Sequence, residues 1–210
     1  MPKWFEFYGP ESPQMAEDFQ TYLRCKRDEP GTSKFFGDVF GDMPAGSTIL
    51  RNGAGVGAGV EWFLDRKLKL ILAEPHDGMR TILTSKFGSN PDVKIIADMF
   101  QRVELESPVD GEEVRHLLYH LPDHEWGPAV MRAASRLSTA PHARLVVTLK
   151  CQFTHDQKML RQFGANKFSL LEQVLPHLYR SPQFSFTVSE TNCIIAVSYT
   201  HLTLPTSDLV

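Results

Sequence analysis

The chain has 210 residues, 42% of them hydrophobic and 22% charged, which predicts one globular domain able to bury a full core without staples. Lys and Arg number 22 against 25 Asp and Glu, a formal net charge of −3, which argues against a nucleic-acid partner. The 3 cysteines, Cys25, Cys151 and Cys193, form no C-x-x-C pair, so neither a disulfide framework nor a cysteine-based zinc site is expected. No apolar run is long enough to span a bilayer, and the stretch Met1 to Glu6 lacks the apolar core of a signal peptide. A cytoplasmic location without a membrane partner is the expectation.

Taken in chain order, strand and helix signals alternate. Met15, Phe19, Tyr22 and Leu23 predict a helix over Ser12 to Arg24, and Phe35, Phe36, Val39 and Phe40 a second, short one. After the turn Pro44-Ala45-Gly46, Ser47 to Leu50 reads as a strand that runs into the glycine run Gly53-Ala54-Gly55-Val56-Gly57-Ala58-Gly59. A helix through Trp62 and Phe63 follows. Lys69 to Glu74 is a second strand, nearly all apolar, as buried parallel strands are. Met79, Ile82 and Leu83 mark the inner face of the next helix, and Val93 to Asp98 is a third strand. Val130, Ala134 and Leu137 fit a helix, and Ala143 to Leu149 a later strand. Leu170, Leu171, Val174, Leu175 and Leu178 form an apolar helix face that Pro176 is expected to kink or end. Phe184 to Val188 and Cys193 to Ala196 read as an antiparallel hairpin. Alternating strands and helices imply a mostly parallel central sheet with helices on both faces.

The C-terminal stretch Val197 to Thr206 resembles the translation of a transposon-derived sequencing adapter. Residues 197–210 are therefore expected to be a non-native tail, although Val197, Tyr199 and Leu202 alternate with polar residues in a way that suits an accidental extension of the last strand. Residues 1–46 read as an N-terminal helical cap segment and residues 47–196 as the ligand-binding α/β domain.

A strand, a glycine run and a helix in succession build a nucleotide site, because glycines turn tightly and let backbone N–H groups approach a ligand. Glu74 closes the next strand about 20 residues after the run begins, a spacing that suits a carboxylate receiving hydrogen bonds from ribose hydroxyls. Two cofactor plans fit. The dinucleotide pattern G-x-G-x-x-G/A matches at Gly53, Gly55 and Ala58, and G-x-G-x-G matches at Gly53, Gly55 and Gly57.

The stretch Ile49-Leu50-Arg51-Asn52-Gly53-Ala54-Gly55-Val56-Gly57 resembles the first motif of the class I S-adenosylmethionine-dependent methyltransferases. Glu74-Pro75-His76-Asp77-Gly78-Met79 resembles their second, Ile96-Ala97-Asp98-Met99 their third, and Leu118-Tyr119-His120-Leu121-Pro122-Asp123 a stretch common after their fourth strand. The final hairpin also suits that family, and the resemblance covers roughly Ser12 to Ala196. It implies a single Rossmann-like methyltransferase domain, S-adenosyl-L-methionine as cofactor, and a cofactor site of Asn52, Gly53, Ala54, Gly55, Gly57, Glu74, Pro75, Asp98 and Met99. Glu74 would take the ribose and Asp98 the adenine amino group.

The sequence departs from the family pattern twice. Arg51 stands where the family has an acid on the first strand. It could pair with the cofactor's carboxylate or spoil the site, and Asn52 could supply a lost polar contact. An ungapped match also puts Gly111-Glu112-Glu113 in the buried fourth strand. Two carboxylates there would be costly to bury, so the strand is expected later, at about Val114 to Tyr119.

His116, His120 and His124 recur every four residues, but Pro122 argues against one helix carrying all three, and no metal site is expected. His116 and His120 are the candidate general bases. The aromatic group Trp4, Phe5, Phe7 and Tyr8 is expected to pack rather than to bind. No Asn/Asp-Pro-Pro-aromatic stretch is present, which disfavours methylation of nucleic-acid bases or protein glutamine. The expected function is therefore methyl transfer to a small-molecule acceptor. The alternatives are a non-catalytic methyltransferase-like partner subunit and, behind it, a nicotinamide-dependent oxidoreductase.

Overall fold

A computed structural model describes residues 13–25, 30–148, 170–181, 183–189 and 194–199. The aromatic group at Trp4 to Tyr8, Leu149, Cys151, Cys193 and the chain beyond Tyr199 lie outside the described residues. The chain divides into two compact units, Met1–Glu113 and Val114–Val210.

The first unit opens with α1 (Pro13–Cys25) and α2 (Pro30–Phe40), followed by β1 (Thr48–Asn52), α3 (Val60–Leu64), β2 (Lys69–Ala73), α4 (Asp77–Phe87), β3 (Val93–Ile96) and β4 (Gly111–Arg115), which crosses the boundary. Its strand order is β3-β2-β1-β4. β1 and β2 are parallel in the register Thr48↔Lys69 to Asn52↔Ala73, and β2 and β3 in the register Leu70↔Val93 to Ala73↔Ile96. The three strands therefore end level with one another at Asn52, Ala73 and Ile96. The residues that follow, Gly53, Glu74 and Ala97, emerge side by side at the carboxyl edge, where open α/β sheets bind ligands.

Apolar strand residues enforce this register. Ile49, Leu50, Leu70 and Leu72 are all buried, and slipping a strand by one residue would exchange its two faces. On one side Leu50 packs with Ala73, Val103 and Val109. Ile49 points the other way: a side chain at Gly111 would run into Ile49, Met43 and Phe40. There Phe36 and Phe40 of α2 meet Phe63 of α3 with ring centroids 4.9 and 5.6 Å apart, which fastens α2 by aromatic packing.

β4 corrects the expected placement of the fourth strand. It spans Gly111–Arg115, not Val114 to Tyr119, and so it contains both carboxylates that were expected to stay outside. It runs parallel to β1, with the Asp110 N–H on the Thr48 carbonyl at one end and the Asn52 amide on the Glu113 carbonyl at the other. Glu112 and Glu113 are 0% and 2% exposed. Burial is possible because β1 carries the partners. Asn52 Nδ2 donates to Glu112 Oε1 at 2.9 Å, and Arg51 Nε to Glu113 Oε2 at 2.7 Å. A buried carboxylate with a charged or amide partner escapes most of the desolvation cost that an isolated one would bear.

In the second unit β4 gives way at His116, whose φ of 55° ends the strand and whose N–H bonds the Thr148 carbonyl at 2.8 Å. Two short 3-10 turns, Leu118–His120 and Asp123–Glu125, lead to α5 (Trp126–Ala134), β5 (Arg144–Thr148), α6 (Leu170–Tyr179), β6 (Phe184–Ser189) and β7 (Ile194–Tyr199). The strand order here continues β4-β5-β7-β6, with β7 antiparallel to both of its neighbours. α6 continues three residues past Pro176, so that proline does not end the helix. Pairing in β7 passes Ala196, since Val197 faces Leu145 and Phe186, and Tyr199 faces Phe184. No helix among the described residues is long and apolar enough to cross a membrane.

Candidate functional site at the carboxyl edge of the first unit

The glycine run leaves β1 with four residues in the left-handed region, Gly53 (φ 62°), Gly55 (57°), Gly57 (87°) and Gly59 (75°). Only glycine adopts this conformation without strain. At two positions packing adds a second reason. A side chain at Gly57 would strike Phe87 and Leu83 of α4, and one at Gly59 would come within 2.7 Å of Phe36. At Gly55 the space is narrowed by Phe19 of α1, 3.3 Å from where a Cβ would sit.

The loop is tied on several sides. The Ala54 N–H bonds the Ala73 carbonyl at 3.1 Å. Lys86, in the last turn of α4, donates to the Val56 carbonyl at 2.9 Å. Arg51 reaches under the loop, with Nη1 donating to the Ala58 carbonyl at 3.1 Å and the guanidinium over the rings of Phe36 and Phe63. Arg51 is thus committed to Glu113, to the loop backbone and to two aromatic faces. Sequence reasoning left its role open between cofactor contact and damage to the site, and the structure makes it a tether.

Glu74 is 4% exposed, and each of its carboxylate oxygens accepts one backbone N–H. Gly55 donates to Oε2 at 2.7 Å and His76 to Oε1 at 2.9 Å. The carboxylate therefore joins the glycine loop to the start of α4. The next residue, Pro75, is exposed, and Arg80 donates to the carbonyls of Glu74 and Pro75, both at 2.9 Å. At the end of β3, Asp98 Oδ1 accepts the Met99 N–H at 2.8 Å, and Met99 is 40% exposed, unusual for a large apolar side chain. Asn52 closes β1 with Oδ1 buried and without a partner among the described residues. All nine candidate cofactor residues lie within the first unit, on the level ends of β1, β2 and β3 and the segments that follow them.

α1 packs on this edge. Ala16 forms a buried cluster with Val56 and Met79, flanked by Phe19 and Ile82. His76 lies in the second motif, which by itself implies no role for it. It caps α4, its Nδ1 accepting the Met79 N–H at 3.2 Å. A histidine at an N-cap, where Ser, Thr, Asn or Asp is usual, was the available signal. Lys86 and Arg80 gave none, because their roles depend on where α4 is placed.

The candidate bases His116 and His120 belong to the second unit. His120 sits in the first 3-10 turn, and desolvation by burial holds its imidazole below the ordinary value of 6.5. His124 lies 3.9 Å from Glu125 and is highly exposed. Among the described residues no group of three His, Cys, Asp or Glu could hold a metal ion.

No protein-family model matches the chain, and no curated protein sequence does. Solved structures match over nearly its whole length. A putative S-adenosyl-L-methionine-dependent methyltransferase from Methanococcus maripaludis superposes with a TM-score of 0.70 at 14% identity, covering 95% of this chain and 98% of its own. A TehB-like S-adenosylmethionine-dependent methyltransferase from Corynebacterium glutamicum gives 0.64 at 11% identity, covering 90% and 100%. The N-methyltransferase NodS from Bradyrhizobium japonicum, solved with S-adenosyl-L-homocysteine, gives 0.58 at 16% identity, covering 83% and 90%. The chain has the Rossmann-like α/β fold of these methyltransferases.

Proposed function

We propose that the protein is an S-adenosylmethionine-dependent methyltransferase acting on a small-molecule acceptor. The observation that carries this reading is the Glu74 carboxylate. An ionised carboxylate has about four acceptor positions, and the Gly55 and His76 N–H groups use one on each oxygen. One position per oxygen remains, the complement of the two hydroxyl donors of a ribose diol. Around it, Gly53, Ala54, Gly55 and Gly57 would line the cofactor's amino-acid arm, and Asn52 Oδ1 would accept from its ammonium group. Pro75 and Met99 would flank the adenine ring, and Asp98 would accept from the adenine amino group. Residues 1–46 serve as a cap on the site of the domain 47–196, a role supported by the packing of Ala16 and Phe19 on the loop and α4.

The cofactor supplies an activated methyl group on a sulfonium, with the leaving group already attached. The protein's work is to hold that methyl in line with the acceptor atom and to exclude water. A base is needed only where the acceptor atom carries a proton, and His116 and His120 are the proposed bases for that case.

Arg51 and the polar stretch Gly111-Glu112-Glu113 are what favour a non-catalytic partner subunit, and the bonds of Arg51 to Glu113 and the Ala58 carbonyl and of Asn52 to Glu112 weaken that alternative. The nicotinamide alternative needs a helix N-terminus to receive a pyrophosphate. The helix that follows the loop has only 5 residues, so few aligned peptide dipoles are available there.

Isothermal titration with S-adenosylmethionine, S-adenosylhomocysteine and NAD tests the reading. Saturable binding of the first two without binding of NAD is expected. Binding of NAD alone, or of none of the three by folded protein, overturns it.

A further inference from the structure

Two buried polar side chains, Glu74 and His76, stand at the start of α4. Glu74 has its two backbone donors. His76 is 8% exposed, and its ring is held by a specific contact. Nδ1 accepts the Met79 N–H at 3.2 Å, which leaves the ring's N–H on Nε2. That Nε2–H is buried and has no acceptor among the described residues. The ring borders the first turn of α4. A Cβ at Gly78 would be 3.1 Å from His76 Cε1, 3.4 Å from its Nδ1 and 3.2 Å from Ala16 Cβ of α1. The backbone N–H of the same residue sits on Glu74 Oε1 at 2.9 Å. One short segment therefore carries a buried acceptor with spare capacity and, two residues on, a buried donor without a partner among the described residues, at the N-terminus of an 11-residue helix.

A buried donor with no acceptor costs roughly 1–3 kcal/mol, and an Asn or Ser in its place would cap the helix without carrying that proton. The ligand chemistry that satisfies both groups is a vicinal diol. Each hydroxyl can donate to a carboxylate oxygen and accept from another group, and the two oxygens of a ribose are close enough to be read together. We infer that His76 is a positioning residue for the ribose. Its Nε2–H donates to one hydroxyl oxygen while Glu74 accepts from the hydroxyl protons. This rests on the cofactor reading above and deepens it, by making the site selective for a ribose over a deoxyribose through a donor as well as an acceptor.

The test uses the full chain with S-adenosylhomocysteine and its 2′-deoxy and 3′-deoxy analogues as probes, titrated against the parent, His76→Asn and Glu74→Gln. Asn keeps the cap, so a melting temperature close to that of the parent is expected. Loss of one neutral hydrogen bond should weaken S-adenosylhomocysteine binding roughly three- to tenfold. In the parent both deoxy analogues bind more weakly. In His76→Asn the penalty for one of them shrinks, because the partner of that hydroxyl is already gone.

Equal deoxy penalties in parent and variant, or unchanged affinity for S-adenosylhomocysteine, overturn the inference. If Glu74→Gln loses affinity while His76→Asn does not, only the role of His76 falls and the site stands. A folded parent that binds none of the three probes overturns both. Should His76→Asn fail to fold, the parent still decides. With its histidines labelled with nitrogen-15, the His76 Nε2–H signal must shift and become protected from exchange when S-adenosylhomocysteine binds, and an unmoved signal overturns the inference.

Discussion

Glu74 and Glu113 are two carboxylates buried to nearly the same degree at the carboxyl edge of one sheet, yet they are held in opposite ways. Glu113 receives a guanidinium, Arg51 Nε at 2.7 Å, from the neighbouring strand. Glu74 receives only backbone N–H groups, one from the glycine loop and one from the start of α4. A charged partner neutralises a carboxylate and commits it to the structure. Neutral backbone donors bring no opposite charge, and at Glu74 they engage both oxygens, whereas Glu113 Oε1 is buried without a partner among the described residues. Burial alone does not distinguish the two carboxylates; the kind of partner does.

The comparison breaks most visibly at Arg51. Arg51→Ala leaves Glu113 buried without its cation and should destabilise the domain by about 3–5 kcal/mol, read as a shift in the urea midpoint. Arg51→Met combined with Glu113→Leu should recover most of that loss, since well-packed apolar pairs often match a buried ion pair. A single variant as stable as the parent would mean that Glu113 is not held by Arg51.

At Glu74 the damage should fall on binding and on the loop together. Glu74→Gln removes the charge and turns an amide NH2 towards one of the two backbone N–H donors, so the melting temperature should fall, and binding of S-adenosylmethionine and of S-adenosylhomocysteine should weaken alike. Replacing a charge-assisted bond costs roughly 1.5–3 kcal/mol, about ten- to over a hundredfold in affinity. Calorimetry on the folded variant checks this, and parental affinity would remove Glu74 from the site.

The glycines sharpen the same contrast between holding and binding. Gly57→Ala meets Phe87 and Leu83 at φ 87°, so about 1–3 kcal/mol of stability should be lost to strain and overpacking. Gly55→Ala, at φ 57° and 3.3 Å from Phe19, should lose less. Thermal melting of the two variants ranks them, and the reverse order would contradict the packing described.

The smallest effect concerns His120 in the second unit. Its imidazole is held below 6.5 by desolvation, so the unfolded chain binds the proton more readily than the folded one. The contribution to stability is full above pH 6.5 and declines as the pH falls below it. His120→Gln should flatten a slight acid-side decline in the urea midpoint between about pH 7 and pH 5. An unchanged decline would assign it to other groups.

Much of this protein is written locally. The apolar runs at Ile49 to Leu50 and Lys69 to Ala73, the glycine run between them, and Glu74 at a strand end follow from residue type and spacing, because strand, turn and cap preferences act over a few residues. The level ends of β1, β2 and β3 then follow from burying those apolar runs in one parallel sheet. Two features needed the tertiary structure. Glu112 and Glu113 by themselves argue for a fourth strand later in the chain, because an unpartnered carboxylate is costly to bury. Arg51 and Asn52 stand about 60 residues earlier in the chain, and only the pairing of β1 with β4 brings them alongside. His76 showed in the sequence as no more than a polar residue at a helix start. That one ring nitrogen caps the helix while the other is buried without a partner among the described residues is visible only in the folded chain. Local preferences decide which backbone groups pair. The partners of a buried charge, and the polar atoms left waiting for a ligand, are decided by segments that meet only when the chain has folded.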